Sequence, residues 1–72
     1  MRYYVRAQCD KLMYLFQERL WSEKARRNVT VFWWVFGAEN ATGYLSEEDA
    51  WAAFDRSGTG IREGYAVEAI RG

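Results

Sequence analysis

The sequence contains no proline, no histidine and a single cysteine, Cys9, among its 72 residues. One thiol excludes an internal disulfide, and one thiol without a histidine cannot supply the ligands of a closed structural zinc site. No apolar run approaches the ~20 residues that cross a bilayer, and the start Met1-Arg2-Tyr3-Tyr4 lacks the apolar segment of a secretory signal. We therefore expect a cytoplasmic protein with a free thiol and no cofactor.

The chain is short, and its length predicts one domain that covers residues 1–72. A domain of this size has a small core and needs a further source of stability. Four Trp, five Tyr and four Phe supply one, because each aromatic side chain buries a large area. Self-association is another, so the sequence leaves a homodimer open.

The net charge is zero, but the two halves of the chain carry opposite charge. Residues 1–36 hold seven basic and three acidic side chains, a net charge of +4, and residues 37–72 hold three and seven, a net charge of −4. Two such halves either attract each other within the fold or form a bipolar surface that steers a partner.

Residues 29–36, Val-Thr-Val-Phe-Trp-Trp-Val-Phe, predict a strand that is apolar on both faces. Alternate residues of a strand point to opposite sides, so each side needs a cover. A row left uncovered would form an exposed patch of the kind that binds a partner or a ligand. One row is Val29, Val31, Trp33 and Val35, and the other is Thr30, Phe32, Trp34 and Phe36.

Two further strands and two helices are expected around this segment. Tyr3–Arg6 and Tyr65–Ile70 have strand composition. A helix is predicted after Asp10, a candidate N-cap, and a second helix after Ser46, which precedes three acidic residues. The apolar side of the first helix would hold Leu12, Met13, Leu15, Phe16 and Leu20.

These elements predict an α+β fold in the order β-α-β-α-β, a small three-stranded sheet with two helices. An alternative stays open, because Val5, Cys9, Leu12, Phe16 and Leu20 also form one helical stripe. In that case one long N-terminal helix, beginning at about residue 2, would pack on a smaller sheet.

The sequence offers little for catalysis. Without histidine, acid–base chemistry would fall to carboxylates or a perturbed lysine, and Cys9 has no basic partner for a thiolate. The run Asp55-Arg56-Ser57-Gly58-Thr59-Gly60 resembles the opening of an EF-hand calcium loop, but Ala66 stands where that loop needs a bidentate Glu. We expect a protein that is not an enzyme and that holds no metal.

A binding function fits the surplus of aromatic and charged side chains. The layout of an aromatic strand, a helix opened by Ser46-Glu47-Glu48-Asp49 and the strand Tyr65–Ile70 resembles small phage-encoded proteins that block host machinery, such as anti-CRISPR proteins and RNA polymerase inhibitors. The resemblance covers overall form, and it implies an inhibitor or adaptor that binds a host protein or ribonucleoprotein complex. The candidate partner-binding residues are Trp34, Phe32, Trp21, Tyr14, Arg19, Arg26, Arg27, Glu39, Glu47 and Glu48.

Two other readings of the aromatic strand remain. Trp33 and Trp34, with Arg26 and Arg27 nearby in sequence, could stack on and neutralise single-stranded nucleic acid. The zero net charge and the lack of an RNP-like motif make this the less favoured function. The same apolar strand could instead pair with a second copy of itself, at its edge or through a face.

Overall fold

The described part of the chain folds into a four-stranded antiparallel sheet with one α-helix on one face. The computed structural model describes residues 1–9 and 13–71. Adjacent strands lie in the order β3-β2-β1-β4, and a 3-10 turn at Ala38–Asn40 follows β3. The strands are β1 (Arg2–Ala7), β2 (Met13–Ser22), β3 (Arg27–Phe36) and β4 (Tyr65–Ile70), and the helix α1 is Glu47–Arg56.

The expected three-stranded sheet with two helices is wrong, because the first predicted helix is the strand β2. Its apolar residues are consecutive as well as spaced for a helix, so a strand can use both of its sides: Leu15 is buried under α1 and Tyr14 on the opposite side. The alternative of one long N-terminal helix is also wrong, because Arg2–Ala7 is β1. The Asp10 cap and Leu12 lie outside the described residues.

A tight turn at residues 23–26 explains why β2 and β3 are antiparallel neighbours. The Arg26 backbone N–H donates to the Ser22 carbonyl at 2.7 Å, and the Ala25 N–H donates to the Ser22 hydroxyl at 3.1 Å. Arg26 adopts a positive φ of 56°, a conformation that lets the chain reverse within so few residues. The two strands then pair along their whole length, from Ser22 with Arg27 to Met13 with Phe36.

The other sequence-based elements are confirmed. Residues 3–6, 29–36 and 65–70 lie in β1, β3 and β4, and the helix after Ser46 is α1. The Ser46 hydroxyl caps α1 by accepting the Asp49 N–H at 3.0 Å, and acidic residues in the first turn favour the helix dipole.

The core lies between α1 and one face of the sheet, called here the core face. Val5, Leu15 and Phe54 are its largest fully buried side chains. Two aromatic contacts extend the core, because the Phe54 ring lies 4.8 Å from that of Tyr65, and Tyr65 stacks on Trp34 at 5.3 Å. Few side chains of residues 1–9 and 13–71 are fully buried, so the stability of this domain depends on a small core.

The segment Thr42–Tyr44 separates β1 from most of β2. β1 and β2 are paired at Arg6 and Tyr14. From the next residue of β2, this segment replaces β1 as the neighbour, and the Thr42 N–H donates to the Leu15 carbonyl at 3.2 Å. On the other side, Tyr44 and Tyr3 exchange backbone hydrogen bonds of 2.8 and 2.9 Å. The segment therefore joins the two halves of the sheet at a point where β2 leaves β1.

Candidate functional site

Residues 19–30 form a two-stranded ribbon, called here the arm. Within the described residues, the only strand that pairs with β2 beyond Gln17 is β3. Because the arm projects from the sheet, the chain is less compact than its length predicts. The Cα radius of gyration is 12.5 Å, against about 11 Å for a compact chain of this length. The accessible area of 5160 Å² likewise exceeds the roughly 4,700 Å² expected for this mass.

The core-face side of the arm presents a tryptophan and an arginine to solvent. Trp21 is 58% exposed, and its indole N–H donates to the Glu23 carboxylate at 3.2 Å. Arg19 lies two residues earlier on the same side of β2 and is also exposed. The arm holds four basic residues and one acidic residue, a net charge of +3. The basic residues are Arg19, Lys24, Arg26 and Arg27.

The sheet face opposite α1, called here the open face, has no covering layer among the described residues. Its β1–β4 end carries a polar cluster: the Tyr14 hydroxyl donates to Glu68 at 2.7 Å, and Arg6 Nε lies 3.8 Å from the same carboxylate. Tyr4 packs edge-on against Tyr14, with ring centroids 6.3 Å apart. Burial, followed by the hydrogen bond to Glu68, raises the pKa of Tyr14.

The β2–β3 end of the open face is an apolar strip. Phe16 and Trp33 are paired across the strands with ring centroids 5.3 Å apart. Trp33 stays 41% exposed, and Leu20 is similarly exposed further along β2. The apolar strip consists of Phe16, Leu20, Val29, Val31, Trp33 and Val35, and Glu18 lies on the same side of the sheet, opposite Val31.

The structure places the candidate binding residues in four different environments. The arm carries four of them: Trp21 and Arg19 lie on its core-face side, Arg27 lies on its open-face side, and Arg26 lies in the turn. Phe32 and Trp34 lie on the core face and pack against the buried cluster, and Tyr14 is buried on the open face. The acidic candidates are exposed elsewhere, two of them (Glu47 and Glu48) in the first turn of α1 and Glu39 in the turn after β3.

Only the β3 residues of the apolar strip stand out in the sequence. The two-faced pattern of residues 29–36 left open which row is buried, and the structure leaves the row with Trp33 uncovered. Phe16 and Leu20 were missed because they were assigned to a helix. The one local signal for a strand is the run of consecutive apolar residues 13–16, and it competes with the four-residue spacing that is typical of a helix.

The side chains of residues 55–60, the run that resembles an EF-hand opening, make contacts within the chain. Arg62 donates two hydrogen bonds to the Asp55 carboxylate, at 2.8 and 3.3 Å, and these lower the pKa of Asp55. The Ser57 hydroxyl donates to the Phe54 carbonyl at 2.6 Å. Arg62 also lies 4.8 Å over the Trp51 ring. These groups hold the end of α1 against the loop that follows.

Other chemical features of the described residues are few. Cys9 is exposed, and the described residues form no cluster of metal-ligating side chains and no pocket. Burial raises the pKa of Tyr44 to about 12, and its hydroxyl donates to the Gln17 side chain at 2.7 Å. No helix among residues 1–9 and 13–71 has the length and apolarity to cross a membrane.

Comparison with known proteins finds no matching protein-family model, no matching curated protein and no matching solved structure.

Proposed function

We propose that this chain is a small, non-enzymatic protein-binding module that works in the cytoplasm as an inhibitor or adaptor of a larger complex. The arm is the element that binds. One observation carries the proposal: Trp21 is 58% exposed on a projecting ribbon beside Arg19. Trp and Arg are the residue types that contribute most to protein–protein affinity when a partner buries them.

The shape and charge of the arm indicate the kind of surface it fits. A two-stranded ribbon is narrow enough to enter a cleft, and its net charge of +3 favours a cleft lined by carboxylates. Trp21 would fill an apolar pocket in that cleft while Arg19 pairs with an acidic rim. The acidic residues Glu47 and Glu48 lie on α1, outside the arm.

The same features support the inhibitor class. A module that fills a cleft of a host protein or ribonucleoprotein complex with a charged, aromatic ribbon competes with whatever that cleft normally holds. The arm is a further feature to set beside the resemblance to phage-encoded inhibitors. That resemblance was based on the aromatic strand, the Ser46 helix and the strand Tyr65–Ile70. The structure changes the first of these by adding β2 as the partner of the aromatic strand.

The proposal is tested by comparing two double variants as baits in a lysate of the source cells. The arm variant combines Arg19→Ala with Trp21→Ala. The matched control combines Ile61→Ala with Arg71→Ala, which also removes one exposed apolar side chain and one arginine. We expect one protein or complex to be retained by the wild type and the control and lost by the arm variant.

The retained protein is then purified and titrated against all three baits. Truncation of a central Trp and Arg should raise the Kd about 30-fold or more, with no change for the control. Equal affinity of the arm variant and the wild type would contradict the proposal, and so would a lysate in which no protein depends on the arm.

A second candidate function, single-stranded nucleic-acid binding, is favoured by the open face. Tyr4, Phe16 and Trp33 are aromatic side chains on one uncovered antiparallel sheet, an arrangement on which bases can stack. Arg27 lies six residues from Trp33, roughly 20 Å along the strand, so the predicted Trp–Arg cluster is not formed. Tryptophan quenching by a single-stranded oligonucleotide, reversed by salt, would favour this function over the first.

A further inference from the structure

The outer edge of β3 is open up to Trp34, and at Phe36 the Asn40 side chain donates to the backbone carbonyl at 2.9 Å. Within the described part of the chain, no strand pairs with that edge. Between Asn28 and Phe36 there is no charged residue and no proline, and the ten-residue strand pairs with β2 without a bulge. Soluble proteins usually block such an edge with charge, proline or a covering segment.

The direction of the free backbone groups follows from β2. Gln17 turns its N–H and C=O towards Thr42, so these groups point away from β3. Gln17 and its partner Phe32 are therefore a non-hydrogen-bonded pair, and Phe32 points its own N–H and C=O to the outer edge. The same alternation directs the backbone groups of Thr30 and Trp34 outward.

We infer that a second copy of this chain occupies the outer edge of β3, by antiparallel pairing of the two β3 strands about a twofold axis at Phe32. This pairing joins two four-stranded sheets into one of eight strands. It takes the outer edge of residues 27–30 of the arm into the interface, whereas the side chains of Trp21 and Arg19 stay on β2, outside that interface, so the inference does not rest on the Trp21 and Arg19 contacts of the proposed function. The cross-strand pairs would be Phe32 with Phe32, Thr30 with Trp34, Val31 with Trp33, Val29 with Val35 and Arg27 with Gly37.

Charge complementarity selects this register. The Glu39 carboxylate lies against Gly37, in the space that a Cβ at position 37 would take. Pairing about Phe32 brings Arg27 of one copy opposite Gly37 of the other, and therefore beside that carboxylate. The symmetry creates two such ion pairs, one at each end of the paired strands. A register shifted to centre on Val31 would place Arg27 opposite Val35 instead.

The face of the sheet on which the two charges lie also supports the pairing of Arg27 with Glu39. Arg27 has the same parity as Val29 and Trp33, so its side chain belongs to the open face. Burial is the largest cause of the raised pKa of Tyr14, and Glu39 adds to it. The Glu39 charge thus acts on an open-face residue. Within one chain, Arg27 and Gly37 are separated by the length of β3, roughly 30 Å.

The first test removes one free N–H of the edge. Thr30→Pro takes away an outward backbone donor while leaving the β2–β3 ladder intact, and Thr30→Val at the same position keeps that donor. Sedimentation equilibrium of the full chain should show a dimer of the 8.5 kDa protein for the wild type and for Thr30→Val. Thr30→Pro should be monomeric with an unchanged circular dichroism spectrum. A monomeric wild type at every concentration would overturn the inference.

The second test is a charge exchange that does not depend on how well the proline variant folds. Arg27→Glu or Glu39→Arg alone puts like charges together at both ends and should weaken the dimer about tenfold or more. The double variant restores opposite charges and should recover most of the wild-type affinity. Because the two residues are far apart in one chain, recovery can only come from contact between copies. A double variant no stronger than the single ones would overturn the register.

A dimer that packs through the open faces gives a different pattern. Trp33→Lys would dissociate it, whereas Thr30→Pro and the charge variants would leave it intact. That pattern would also overturn the edge pairing.

Discussion

Thr42 holds Gln17 at the point where β2 leaves the rest of the sheet. The Gln17 backbone N–H donates to the Thr42 hydroxyl at 2.8 Å, and that hydroxyl lies 3.4 Å from the Gln17 carbonyl, to which it donates. Two residues later, Tyr44 is paired with Tyr3 of β1. One hydroxyl group therefore completes the connection between β1 and the strand that carries the arm.

Thr42→Val should destabilise the protein by removing that hydroxyl while keeping the side-chain shape. The Gln17 N–H then loses its partner in a half-buried position, so the free energy of unfolding should fall by about 1–2 kcal/mol. Urea denaturation at one fixed protein concentration measures the change. Thr42→Ser keeps the hydroxyl and should stay within about 0.5 kcal/mol of the wild type. Equal stability of the Val and Ser variants would contradict this role.

Tyr14→Phe should have a smaller effect. It removes the 2.7 Å hydrogen bond to Glu68 but leaves Arg6 beside the carboxylate. The expected loss is about 1 kcal/mol, because the freed carboxylate oxygen regains water at the open face. Tyr4→Phe is the matched control, since it alters the neighbouring ring of the same aromatic pair without touching this hydrogen bond. A loss confined to Tyr14→Phe supports the contact, and equal losses argue against it.

The raised pKa of Tyr44 predicts that the protein loses stability in strong base. Its pKa is raised from 10.0 to about 12, chiefly by burial, so the folded state favours the neutral phenol. Ionisation then costs more in the folded chain than in the unfolded chain, and stability that is complete below pH 10 falls as the pH rises towards 12. Denaturation midpoints across this range should decline less steeply in Tyr44→Phe. Parallel slopes for the two proteins would exclude Tyr44 as a source of the decline.

Phe54 carries a large share of a small core. It is fully buried, and its ring lies 5.6 Å from Trp51 and 4.8 Å from Tyr65. Phe54→Ala should cost about 3–5 kcal/mol, against a total stability of roughly 4–11 kcal/mol for a domain of this length. Thermal unfolding followed by circular dichroism should show a greatly lowered Tm. Leu45→Ala, at a side chain 73% exposed, should leave the Tm nearly unchanged.

Local signals in the sequence were enough for most elements. Ser46 and the acids after it mark the start of α1, because capping and the helix dipole act within one turn. The composition of residues 29–36 and 65–70 likewise predicted strands. These signals need no knowledge of the rest of the fold, which is why they succeed.

The strand β2 could not be predicted in the same way. Leu12, Phe16 and Leu20 repeat every four residues, a spacing that is typical of a helix, and only the pairing with β3 decides against it. That pairing is a tertiary interaction, and it overrides the local preference. The same limit applies to the candidate site, because the position of α1 determines that Trp34 is packed and Trp33 is exposed.

The segment Thr42–Tyr44 also divides the sheet into two ladders that are closed by loops of very different length. The β2–β3 ladder closes across the turn from Ser22 to Arg27, whereas β1 must meet β4 over nearly the whole chain, from Arg2 to Ile70. A short loop closes faster and at a smaller entropy cost than a long one. During translation the arm can therefore form on the ribosome, while β1 waits for its partner until residue 70 has left the exit tunnel.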